Sequence, residues 1–180
     1  MRLKPRDVTV SAVFSVLTAL GAWVSIPLPI TPVPVTLQVF FVLLSGAVLG
    51  ERLGALAQII YLLLGLIGLP VFAGGESGPA VLVGPTGGYL VGFVAAAYMT
   101  GRLAKGSRGT SFIRMLMASV CGLIPIYLLG AIGLWVWLRS SLSALLVIGV
   151  IPFLPVDAIK AIIAGYIASR KQIRQLLQTH

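Results

Sequence analysis

Two charged residues stand inside an otherwise apolar stretch of this sequence. Asp157 and Lys160 occur in FLPVDAIKAIIAGY, three residues apart, a spacing that puts both side chains on one face of a helix. A carboxylate and an ammonium so placed can grip a ligand that offers both donors and acceptors. The same pair can equally neutralise itself and lock a helix into a bundle, or the lysine can snorkel to an interface. Charges within membrane helices are costly and mark substrate or ion paths. Pro152 and Pro155 precede the pair and place Asp157 in the first turn after a proline break, where the helix dipole supports a carboxylate.

Other polar positions enter apolar segments. Gln38, in PVTLQ, fits hydrogen bonding to a ligand or to a neighbouring helix. Thr36 fits a helix cap as well as a ligand contact, and Gln58 fits interhelical glue. The segment Gly68 to Phe93 is dense in glycine. Gly74, Gly75, Gly87 and Gly88 permit backbone conformations and close approaches closed to other residues, while Phe72 and Tyr89 supply aromatic surface. A loop capping a pocket has this composition, and so does a tight turn joined to small-residue helix packing. Ser11, Ser15 and Ala19 form a small-residue stripe at four-residue spacing, suited to internal packing or to docking of another membrane subunit.

Enzyme chemistry finds little support. The one histidine, His180, ends a basic tail, so no buried Ser–His pair or histidine metal cluster exists. Asp157, Glu51 and Glu76 are scattered, and Cys121 stands alone, leaving no disulfide framework and no thiolate metal site. No G-x-x-x-x-G-K-[ST] phosphate loop occurs. No catalytic residue, metal or cofactor is expected.

The elements that must position these residues are membrane helices. Hydrophobic residues make up 58% of the 180-residue chain and charged residues 9%, with a mean hydropathy of +1.07. Soluble domains carry about 25% charged residues, so this chain cannot build a water-facing surface. At roughly 20 residues per crossing, it accommodates about six. Apolar stretches run from Val8 to Ile26, Thr36 to Gly50, Leu53 to Leu69, Gly88 to Leu103, Ser111 to Leu138 and Ser143 to Ser169. The first follows a basic start and is read as a membrane helix, not a cleaved signal. Prolines 27, 29, 32 and 34 fill the first connection, and the outer loops suit lids over a cavity. Arg2, Lys4, Arg6, Arg52, Arg102, Lys105, Arg108, Arg114, Arg170, Lys171 and Arg174 then fall on one side and Arg139 on the other. Basic loops stay cytoplasmic, so both ends face the cytoplasm. The net charge of +9 is a topology signal, not a sign of nucleic-acid binding. The fold expected is an all-α integral membrane protein, one transmembrane domain over 1–180.

Four motifs in order, PVPVTLQ, GLPVFAGG, GPTGGYLVGF and FLPVDAIK, closely resemble the BioY family, the biotin-capturing S components of energy-coupling factor (ECF) transporters in prokaryotes. The resemblance runs from Pro32 to the last helix. It implies a six-helix bundle in the cell membrane, in contact with its lipids, with a biotin pocket open to the outside. It also implies a transmembrane coupling protein and two ABC-type ATPases as partners, with the Ser11–Ser15–Ala19 stripe as the docking face. On the same basis Asp157 accepts from a ureido N–H, and Lys160 donates to the ureido carbonyl or the carboxylate. Phe72 and Tyr89 pack on the apolar ring, and Thr36, Gln38, Gly74, Gly75 and Gly87 complete the polar contacts. The chain departs from the family pattern at Val156, where glycine is usual, and at Glu76, in a segment more often neutral. A competing class is an autonomous secondary transporter with Asp157 as a proton site. A third is an intramembrane assembly subunit that binds no small molecule.

Overall fold

The computed structural model describes residues 4–105, 111–139 and 141–170; Arg2, Arg108, Lys171, Arg174 and His180 lie outside them. The order of elements is α1 (Pro5–Trp23), β1 (Ser25–Leu28), β2 (Thr31–Thr36), α2 (Gln38–Leu49), α3 (Glu51–Leu66), a 3₁₀ turn (Ala73–Gly75), α4 (Pro79–Leu82), α5 (Gly87–Ala104), α6 (Phe112–Leu138), α7 (Leu142–Gly149) and α8 (Leu154–Ala168).

Helix α2 is the centre. Ten of its twelve residues are buried, from Gln38 through Val42 and Leu43 to Leu49, and a helix apolar on all sides belongs in the interior. It packs against α1, α3, α5, α6 and α8. Gly50 alone joins α2 to α3, with φ +87° and ψ 177°, a backbone region that is essentially glycine's. Glu51 and Arg52 therefore open α3; they do not form a loop of their own. The Glu51 carboxylate sits at a helix start, where the dipole favours it, and takes Arg102 at 3.5 Å and Lys105 at 3.4 Å from the end of α5. Further along, a Cβ on Gly54 would come within 2.8 Å of the Gly46 Cα, so α2 and α3 touch backbone to backbone.

Three features differ from the sequence expectation. The first connection is an antiparallel hairpin, pairing Ser25 with Thr36 and Leu28 with Thr31 around an irregularity between Ile26 and Leu28, so the fold is helical with one small sheet. Its prolines are tolerated because each strand of a two-stranded sheet is an edge. The Ser143–Ser169 stretch is two helices instead of one: α7 and α8 meet at 52° across Val150–Phe153, where Pro152 interrupts the helical hydrogen bonding. The proline break expected before Asp157 falls here, with Asp157 in the first turn of α8. By length and apolarity, Phe112–Leu138 is one helix able to cross a membrane, and the bent pair taken together is a second. Gln38–Leu49 is apolar but short. The exterior is nonetheless oily, with Ile67, Val83, Ile113 and Val136 each well exposed.

The Ser11–Ser15–Ala19 stripe does not form a free face. Ser11 and Ser15 are fully buried, with the Ser11 hydroxyl donating to the Leu53 carbonyl at 3.2 Å, and Ala19 is partly buried. Small side chains here let α1 lie close on α3, in keeping with the internal-packing reading of the stripe. The outward side of α1 carries Val13, Val16 and Leu20.

Candidate functional site

The break before α8 sets up the site. Leu154 and Pro155 begin the helix, where a missing proline N–H costs nothing, and the Asp157 N–H already bonds to the Phe153 carbonyl at 2.9 Å. One turn on, Asp157 and Lys160 point to the same side, buried to 4% and 7% exposure. Lys160 Nζ lies 2.6 Å from Asp157 Oδ1 and donates at 2.6 Å to the Thr36 carbonyl at the end of β2. The Tyr127 hydroxyl of α6 donates to Asp157 Oδ2 at 2.8 Å. A buried ion pair is tolerable when its remaining valences are filled in this way. Three elements far apart in sequence thus converge on one carboxylate and one ammonium.

These groups form the floor of a cavity of about 1160 Å³. Its walls include the hairpin from Thr31 to Thr36, the glycine-rich loop from Phe72 to Ser77, and Tyr89, Phe93, Tyr127 and Phe153. Gln38 lines it at the start of α2, its amide hydrogen-bonded to the Tyr61 hydroxyl, which in turn donates to the Val71 carbonyl at 3.1 Å. The Thr36 hydroxyl donates to Gln38 Oε1 at 3.0 Å. Tyr89 donates to the Gly149 carbonyl at 2.7 Å and presents its ring near Phe153, 6.3 Å between centroids. Gly74 and Gly75 have φ of +73° and +77°, a left-handed turn that other residues rarely adopt, and both line the cavity.

In sequence comparison, the BioY family profile matches residues 1–178. This chain belongs to the BioY family. The biotin transporter BioY of Thermotoga maritima is 47% identical over 165 residues, covering 92% of this chain and 95% of that one. The probable biotin transporter BioY of Pyrococcus horikoshii is 44% identical over 172 residues, 94% and 98% of the two chains. The fold is similar to the 2.1 Å crystal structure of the S-component for biotin from an ECF-type ABC transporter. That likeness has a TM-score of 0.82 and 26% identity, and covers 99% and 96% of the chains.

Within this BioY chain, eight of the nine expected ligand positions line a single cavity: Thr36, Gln38, Phe72, Gly74, Gly75, Tyr89, Asp157 and Lys160. Phe72 does so as a buried backing, its ring edge-on to Tyr61 at 5.6 Å and against Gly65. Gly87 is the exception. It is buried at the start of α5, where a Cβ would overlap the Leu82 carbonyl; its smallness serves the α4–α5 corner, not the cavity. Val156 lies within α8, 38% exposed and outside the lining, so a side chain is accommodated there without touching the site. Tyr127 and Trp23 line the cavity and were not among the expected residues. The available signal for Tyr127 was a hydroxyl inside the apolar run around Pro125.

Proposed function

We propose that this chain is the biotin-binding S component of an ECF-type vitamin importer, capturing biotin from outside the cell for ATP-driven uptake. The observation that carries the reading is the buried Asp157–Lys160 pair, with Tyr127 and Thr36, at the floor of the BioY-family cavity. Biotin presents two ureido N–H donors, one ureido carbonyl, an apolar bicycle and a carboxylate tail. The Asp157 oxygens each keep a lone pair after accepting from Lys160 and Tyr127, and these suit the ureido N–H groups. The Lys160 ammonium has three protons, two of them directed at Asp157 and Thr36, so the third suits the ureido carbonyl. Hydrogen bonds to charged groups contribute about 1.5–3 kcal/mol each. A vitamin lacking the urea leaves the pair unmatched, and a site built for polar partners strongly rejects analogues without them. Tyr89 and Phe153 flank the bicycle.

The oily exterior sits in lipid, with six crossings in which α7 and α8 together make the last, and both termini on the cytoplasmic side. The eleven-to-one distribution of Lys and Arg supports that orientation. A transmembrane coupling protein and two ABC-type ATPases supply the energy, since no phosphate loop occurs in this chain. The test is uptake of labelled biotin by cells without another biotin importer. Expression of this chain with a coupling module should give uptake that Asp157→Asn abolishes. Uptake without any module, collapsed by an uncoupler, would instead establish a proton-coupled carrier acting alone.

A further inference from the structure

The charges around the cavity are unevenly placed. Among its described lining residues three are charged, Asp157, Lys160 and Glu76. The first two are only 2.6 Å apart and neutralise each other. Glu76 is exposed, belongs to the glycine-rich loop, and has no ion pair among the described residues. The lining contains no second cation among those residues. Its net charge is therefore −1, carried by the loop. Trp23 also lines this space, 68% exposed. Its indole N–H donates to the Pro70 carbonyl at 3.4 Å, and α1 packs on the Ala73–Gly75 turn. A carboxylate and the face of an exposed indole both attract a cation, and the carboxylate repels an anion.

The reading of this cavity as a biotin site, which the proposal rests on, puts the ureido ring at Asp157 and Lys160. The pair is buried and Glu76, on the same cavity, is exposed, so an acyl tail that leaves the pair toward solvent brings its carboxylate to the side that carries Glu76. The cavity, about 1160 Å³ and partly open to solvent, does not enclose the end of a ligand's tail, which leaves room for a tail extended beyond the acid. We propose that the site admits biotin whose carboxyl is masked as an amide, the chemistry of biotin joined to an amine. Glu76 is the residue that ranks such ligands, favouring cationic tails over neutral ones and opposing the free acid.

Three probes test this on the full-length purified protein at low ionic strength: biotin, biotinamide, and the mono-amide of biotin with ethylenediamine, whose tails carry charges of −1, 0 and +1. All three should bind the wild type. Glu76→Gln should tighten biotin, leave biotinamide unchanged and weaken the cationic amide, with the two charged ligands each shifting about three- to thirty-fold. Glu76→Asp should keep the wild-type ranking. The Glu76 carbonyl accepts from the Phe72 N–H at 3.1 Å, a backbone bond that both substitutions retain. Binding of biotin but of neither amide would overturn the proposal, as would equal shifts of all three ligands in Glu76→Gln. Binding of none of the three would instead overturn the biotin reading itself.

Discussion

Asp157 is held from two sides, by Lys160 on one oxygen and Tyr127 on the other, and substitutions at this carboxylate and at its tyrosine partner should behave differently. Asp157→Asn keeps the shape but removes the charge on which the proposed bonds to the ureido ring depend. Biotin affinity should fall about ten- to hundred-fold for each charged hydrogen bond lost, as read by equilibrium binding. Tyr127→Phe leaves the ion pair intact and removes one donor. The protein should lose about 1.5–3 kcal/mol of stability, measured by denaturation, while affinity falls less than in Asp157→Asn. The charged pair was plain in the sequence because a charge within an apolar run has few explanations. Tyr127 was not, because a tyrosine in such a run serves packing as readily as bonding, and only the fold brings residue 127 beside residue 157. Gly87 shows the reverse problem. A glycine that lines a pocket and one that lets two elements touch have the same side chain, namely none.

The secondary elements explain why the site lies where it does. The break at Val150–Phe153 turns what reads as one long apolar stretch into α7 and α8, so a helix start, and not a helix middle, carries the carboxylate. Both prolines are visible in the sequence, and the break they cause agrees with them. The hairpin was harder to read, since four prolines in so short a connection argue against a sheet; an isolated pair of edge strands escapes that rule. It is the hairpin that delivers the Thr36 carbonyl to Lys160. The buried stripe on α1 is a second case, in which four-residue spacing signalled the close contact but not the partner, and the partner is α3. The α2–α3 link makes a separate prediction. Gly50→Ala should cost about 1–3 kcal/mol of stability through its φ of +87°, measured by thermal or chemical unfolding. Biotin affinity should be unchanged, because Gly50 lies outside the cavity lining. A change in affinity with unchanged stability would mean that the α2–α3 corner reports directly on the site.

The described residues form an apolar-coated bundle around one central helix, with Asp157, Lys160, Tyr127, Thr36 and Gln38 gathered at one cavity. Composition alone announced the membrane, and the motifs announced the family, since both are properties of the chain that survive without coordinates. The cavity itself, and the sharing of one ion pair among α8, α6 and β2, come only from the fold. The central claim is that this cavity binds biotin with the affinity that a scavenged vitamin demands. Equilibrium binding of labelled biotin to the purified protein, in detergent or lipid discs, tests it most directly. A dissociation constant near the nanomolar range, about −12 kcal/mol, displaced by unlabelled biotin and not by vitamins lacking a urea, is the predicted result. No saturable biotin binding by a folded preparation would contradict it.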